Sequence, residues 1–246
     1  MNATSITQSV QTLKSNILQH VHHRALLQNV GQPTLQEEQL FFIQLPFLNG
    51  ALMDDGHKVS AVTVGIVHAS LTEHEMVKEV EATSKEQQLL VLSGDYYSGR
   101  YYQLLAQTGN IYLIQKLSEG IVNRCEHQIR VYEAQKRSLE QWIESLMIIE
   151  SELIAKYYDV YGFTFYTELM QQTLTYIRLK KELDLLKKGQ PCFLSKAFSA
   201  DLTLMDSIVE AFQDHLHDME RQLRDNLSNI DIKDELKHSI EQYITF

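Results

Sequence analysis

An all-α fold is predicted for this chain of 246 residues by three observations. Apolar residues recur at three- and four-residue steps over most of its length, no stretch sustains the alternation of a half-buried strand, and only 3 prolines and 10 glycines interrupt the pattern. An apolar content of 44% is enough for a sizeable core, and no Ser/Gly/Pro-rich linker divides the chain. A single helical domain over residues 1–246 is therefore expected, with N-terminal helices over 4–48, a distinctive central region over 58–130 and C-terminal helices over 131–246.

Taken in order, Ile6, Val10, Leu13, Ile17 and Val21 mark one amphipathic helix that ends at the polar HVHHR of 20–24. Gly31, Gln32 and Pro33 break the chain, and Thr34 with Glu37 has the spacing of a capping box for a second helix, which Pro46 should end or kink. A turn is expected from Asn49 to Gly56, where Asp54 and Asp55 lack a third carboxylate at a calcium-loop spacing. Val59, Val62, Ile66 and Ala69 then carry a third helix toward His74. Ser84 is the predicted N-cap of a fourth, and Gly109 with Asn110 its stop.

From Ile111 to about Tyr161 the helical pattern has no proline, and one rod of that length would reach about 75 Å at 1.5 Å per residue. A break inside it is expected. Gly162 ends the run, a further helix covers Phe165 to Lys187 until Gly189 and Pro191, and two more cover Leu202–Leu227 and Ile232–Ile244.

The formal charge of −10 argues against an extended nucleic-acid surface, which needs clustered Lys and Arg. Cys125 and Cys192 stand far apart with no CxxC spacing, as expected of reduced thiols. The N-terminus lacks the basic start and apolar run of a signal peptide, and no segment has the length and apolarity of a membrane span, so a cytoplasmic location is expected.

The most distinctive stretch is Leu89 to Ala106, LLVLSGDYYSGRYYQLLA. On a helix, Gly94 and Ser98 share a small face that would let another helix approach closely, and Gly99 lies beside them. Tyr97 and Tyr101 stack at i,i+4, Leu104 and Leu105 extend that face, and Tyr96 and Tyr102 flank it. A glycine inside a helix costs about 1 kcal/mol relative to alanine, so a packing reason is needed. Asp95 and Arg100, five apart, should each answer to a different neighbour.

Other clusters carry less. His20, His22 and His23 sit at a helix end and do not point one way, so a solvated end favoured by the helix dipole is the better reading. Glu235 and His238 form one Glu-x-x-His unit, whereas di-iron bundles need two and further glutamates. Asp214 and Asp218 share a helix face and could hold Mg²⁺, yet His215 stands where a middle carboxylate is wanted. No phosphate-cradling glycine loop or G-x-S-x-G elbow occurs, and His127 is the one hint of activation near Cys125.

The run VLSGDYYSGRYYQLLA, with VGIVHASLTEHEMV at 64–77 upstream and NIYLIQKLSEGIVNRCEHQI at 110–129 downstream, resembles heptaprenyl diphosphate synthase component I. That family is the small, non-catalytic subunit of heterodimeric bacterial trans-prenyltransferases. The stretch is also similar to the Gly-Asp-aromatic helix of the catalytic trans-prenyltransferases. In those relatives the upstream helix ends in His-Asp-Asp followed three residues on by another Asp, and these carboxylates hold Mg²⁺. The matching positions here are His74, Glu75, Met76 and Glu79, with a thioether for the second carboxylate. AFQDHLHD, at 211–218, is similar to the second Asp-rich motif, shortened and with His215 in place of one Asp.

The resemblance implies an isoprenoid-synthase-like helical bundle that binds no metal itself and has no activity alone. A catalytic prenyl diphosphate synthase subunit would supply the aspartates and Mg²⁺, elongating farnesyl diphosphate with isopentenyl diphosphate to heptaprenyl diphosphate for the menaquinone side chain. It places the product wall or the partner interface on Gly94, Asp95, Tyr96, Tyr97, Ser98, Arg100, Tyr101, Tyr102, Leu104 and Leu105. The rival expectations are a self-sufficient Mg²⁺-dependent terpenoid synthase or cyclase using Asp214 and Asp218, and a helical adaptor unrelated to isoprenoids. A homodimer is the expected alternative state of the isolated chain.

Overall fold

The computed structural model describes residues 3–78, 83–198 and 205–245, and no strand occurs among them. The helices are α1 (Ala3–His20), α2 (Arg24–Asn29), α3 (Glu37–Leu48), α4 (Asp55–Glu75), α5 (Lys85–Thr108), α6 (Ile111–Ile129), α7 (Leu139–Tyr161), α8 (Thr167–Lys187), α9 (Phe193–Ala197), α10 (Met205–Asn229) and α11 (Asp234–Thr245). Their contacts gather into two compact units, Met1–Leu117 and Ser118–Phe246, and the boundary falls inside α6. Among the described residues no helix is long and apolar enough to cross a membrane.

In unit 1 the predicted stripe of α1 is buried at each of Ile6, Val10, Leu13 and Ile17, and it packs on α3 and α4. Lys14 Nζ reaches Glu37 Oε1 at 2.9 Å, and Ser9 Oγ donates to Gln44 Oε1 at 3.2 Å, tying α1 to α3. Leu40 to Pro46 are buried without a gap, so α3 is apolar all round, as a central helix must be. Pro46 stays within its last turn instead of ending it. Residues 60–70 of α4 are likewise buried throughout.

The starts of these helices differ from the expected ones. Thr34 does not cap α3; the N-cap is Gln36, with no side-chain bond. Asp54 is more than a turn residue: it caps α4 in a box with His57, whose backbone N–H donates to Asp54 Oδ1 at 2.8 Å. The His20–His23 segment is more than a solvated helix end, because the His23 ring nitrogen accepts from Leu26 N and starts α2, a helix the periodicity does not predict. Ser84 caps α5 as expected, and Gly109 ends it in a left-handed conformation.

In unit 2 the expected break lies between α6 and α7, at a 3-10 turn (Arg130–Tyr132) and the following loop. Ser138 then restarts the helix in a capping box with Gln141, and Gly162 closes it at φ 73°. Trp142, Leu146, Ile149, Leu179, Leu183, Phe193 and Phe212 make one buried cluster, in which the rings of Trp142 and Phe193 meet edge to face at 5.8 Å. The short helix α9, absent from the sequence reading, delivers Phe193 and Leu194 to this cluster. α10 and α11 pack on α8, and the Tyr176 hydroxyl donates to Ile244 O at 3.3 Å. The stretch 199–204, where the sequence reading starts a helix at Leu202, lies outside the described residues.

A buried ionic network holds α7, α8 and α9 together. Arg178 reaches Glu150 at 2.5 Å and Glu182 at 2.9 Å, and the other Glu182 oxygen accepts from Leu194 N at 2.9 Å. Removing the cation would leave two buried carboxylates without this countercharge. Arg178→Met should therefore lower the unfolding free energy by about 3 kcal/mol, measured by urea denaturation followed by circular dichroism.

Candidate functional site at the apex of α4 and α5

The upstream half of the resemblance lies at the C-terminal end of α4, and α5 runs back along it. The contacts step down the pair in register. His74 lies against Gly94 and 3.6 Å from Asp95. Glu73 accepts from Ser93 Oγ at 2.9 Å. Ser70 Oγ donates to Gly94 O at 2.8 Å, and its oxygen is 2.8 Å from that of Ser98. Gly94 is needed here: an added Cβ would stand 2.6 Å from two atoms of the His74 ring.

Glu73 is the buried member, 3% exposed. Burial in the first place pushes its carboxyl above the usual range, against bonds from Ser93 and the Thr34 backbone N–H and the nearby His74, which act to lower it. Ser93 has one proton and faces two acceptors, Glu73 Oε2 and Leu90 O at 2.8 Å. Thr34, freed from any capping role, also directs its hydroxyl at Met76 Sδ, 3.8 Å away. The Tyr97 phenol, buried and close to Glu73, is pushed up to about 12.

The tyrosine-rich stretch divides into two faces. Tyr97, Tyr101, Leu104 and Leu105 are buried, and Tyr102 is exposed. Tyr96 is half-buried; its ring meets that of His23 at 5.2 Å and its hydroxyl donates to His22 O at 3.4 Å. Arg100 donates from Nε to His20 O at 2.7 Å and from Nη1 to Gln103, so Asp95 and Arg100 do answer to different neighbours. The backbone carbonyls of His20 and His22 thus hold α5, while the His23 ring starts α2. Beyond Leu104, a cleft of about 650 Å³ opens, with Val59, Val62, Lys58 and Thr108 also on its walls.

The remaining candidates lie elsewhere. Asp214 and Asp218 are exposed on α10, and Asp218 pairs with Arg221. His238 lies 3.6 Å from Glu241, and Glu235 sits in the first turn of α11. Burial and then the Glu182 charge push the Cys192 thiol up to about 11, the reverse of an activated thiolate. His127 is buried against Ser145, 3.2 Å from its hydroxyl. Sequence reasoning passed over Glu73, Ser93 and Ser70, and read Thr34 only as a helix cap. One signal was present: Glu73 continues the apolar stripe of Val62, Ile66 and Ala69, where a carboxylate must be buried.

In backbone the chain has the fold of the prenyl diphosphate synthases. It superposes on a decaprenyl diphosphate synthase from Rhodobacter capsulatus with a TM-score of 0.67 at 14% identity, over 99% of this chain and 96% of that one. A heptaprenyl diphosphate synthase from Staphylococcus aureus gives 0.69 at 13%, over 100% and 99%. Within that class, residues 23–230 match the family of heptaprenyl diphosphate synthase (HEPPP synthase) subunit 1, and the chain belongs to it. It is 33% identical to heptaprenyl diphosphate synthase component 1 of Geobacillus stearothermophilus over 98 residues, 40% of this chain. The match spans 44% of that relative's length.

The apex does not suit Mg²⁺, which demands a near-octahedral set of hard oxygen ligands. Glu73 is turned inward onto Ser93 and Thr34, His74 offers imidazole, Met76 offers an exposed thioether, and half-buried Glu75 is the one carboxylate of the matched positions among the described residues. Glu79 lies outside the described residues. Among the described residues no group of three His, Cys, Asp or Glu side chains is placed to hold a metal ion.

The raised Glu73 carboxyl sets a pH dependence. Below the ordinary value of 4.5 both folded and unfolded chains carry the proton and the site contributes fully. As pH rises from there through the folded value, the unfolded chain releases it first and stability falls. Glu73→Gln should remove that component, so wild type should lose stability relative to the variant as pH rises above 4.5, measured by urea melts across pH 4 to 8.

Proposed function

We propose that the chain is the non-catalytic subunit of a heterodimeric heptaprenyl diphosphate synthase of the cytoplasm. Its partner is an Asp-rich catalytic subunit that binds Mg²⁺ and elongates farnesyl diphosphate with isopentenyl diphosphate, toward the menaquinone side chain. Family membership supports the pairing, and one observation carries the non-catalytic role: the donor set at the end of α4. Ionising an allylic diphosphate builds charge that several metal ions and carboxylates must neutralise. Imidazole, a thioether, an inward-turned carboxyl and the single Glu75 carboxylate fall short of such a site.

The outward face of α5 is the partner-facing surface of this reading. Leu92, Asp95, Gly99 and Tyr102 follow one another at three- and four-residue steps with Val91 beside them, and all five are exposed, Leu92 at 56% and Tyr102 at 54%. Tyr97, Tyr101 and Leu105 anchor the opposite face. A product-wall role is best supported at Leu104, which borders the cleft.

Purified alone and given Mg²⁺, farnesyl diphosphate and isopentenyl diphosphate, the chain should form no product, and adding the catalytic subunit should restore synthesis. Product from the chain alone would sink the reading in favour of the self-sufficient synthase. Leu92→Asp with Tyr102→Asp should weaken co-purification at least about tenfold, the effect of roughly 1.4 kcal/mol, while circular dichroism is unchanged. Undiminished binding would remove α5 from the interface.

A further inference from the structure

We propose that the apex of α4 and α5 is a clasp that works without a divalent ion, in which Gly94 is a seat for the His74 ring and Glu73 is the inner hook. Three side chains from the last turns of α4 engage α5 within residues 93–98. Ser70 meets Gly94 O and Ser98, Glu73 meets Ser93, and the His74 ring covers Gly94 beside Asp95. A third segment is hooked by the same groups, since Thr34 donates its backbone N–H to Glu73 and its hydroxyl to Met76 Sδ. The lead-in to α3, the end of α4 and the middle of α5 are thus joined by direct bonds.

The seat is specific in shape. An alanine at 94 would suit the helix better, but its Cβ would stand 2.6 Å from Cε1 and from Nε2 of His74 and 2.9 Å from Cδ2. The ring and the methyl group cannot share the site. His74 has solvent on its other side, so the methyl would expel the ring and open the outer half of the clasp. The clasp lies wholly within unit 1 and stands whether or not a catalytic partner is found.

The test is a cycle of His74→Ala and Gly94→Ala in the full chain, read by thermal melting with MgCl₂ and with EDTA. His74→Ala should lower the melting temperature by roughly 2–4 °C in wild type. It should have no effect in Gly94→Ala, where the ring is already displaced, and neither MgCl₂ nor EDTA should move any of the four curves. Equal effects of His74→Ala in both backgrounds, no effect in either, or a stabilisation by MgCl₂ that His74→Ala abolishes would each overturn the clasp. Should Gly94→Ala fail to fold, recovery of folding in the double variant supports the seat and continued failure overturns it.

Discussion

The close approach of α4 and α5 is the constraint on which the rest of unit 1 depends. α4 is buried along residues 60–70, and apolar burial alone is a weak guide to a helix's axial position and rotation. Polar contacts at its end supply that choice. Glu73 can be buried only where Ser93 and the Thr34 N–H meet it, and His74 fits only over a residue without a Cβ. Both conditions are met at one register of α5, so the apex fixes what the apolar face leaves free.

The same constraint separates scaffold from chemistry. A prenyl diphosphate synthase backbone can be kept at 13–14% identity because burial patterns tolerate many apolar substitutions. A metal centre tolerates few, since a hard ion needs oxygen donors converging on one point. At the end of α4 a thioether, Met76, stands at one carboxylate position of the catalytic pattern, and the neighbouring Glu73 is directed into the chain. Glu73 shows how a carboxyl is accommodated there, held above its ordinary pKa by burial and bonded to a hydroxyl and an amide.

Much of the helical pattern was legible because periodicity and caps report the same boundaries. The α1 stripe, Ser84, Gly109 and Gly162 each mark an end or a face found in the structure. Thr34–Glu37 had the letters of a capping box, but a tertiary partner took them: the Thr34 amide and hydroxyl go to Glu73 and Met76. Ser138 with Gln141 was a true box inside a run read only as interruptible. α2 escaped because histidine is an uncommon N-cap and six residues are too few for a period to show. At the site, the letters His74, Glu75 and Met76 drew notice because they replace a known pattern. Glu73, one position earlier, does the structural work and had only its place on an apolar stripe to betray it.

α5 finally has two glycines with opposite surroundings. Gly94 is crowded by the His74 ring, whereas a Cβ on Gly99 would meet nothing within 4 Å. Each weakens the helix by about 1 kcal/mol relative to alanine, and within this chain only Gly94 has a compensating contact. Gly99 lies midway along the exposed run of Val91, Leu92, Asp95 and Tyr102. A missing side chain flanked by exposed apolar ones is a shallow notch, which gains a function when another backbone enters it. α5 is thus packed unevenly around its two glycines. One face is committed to α4 through Gly94, and the other is left open around Gly99.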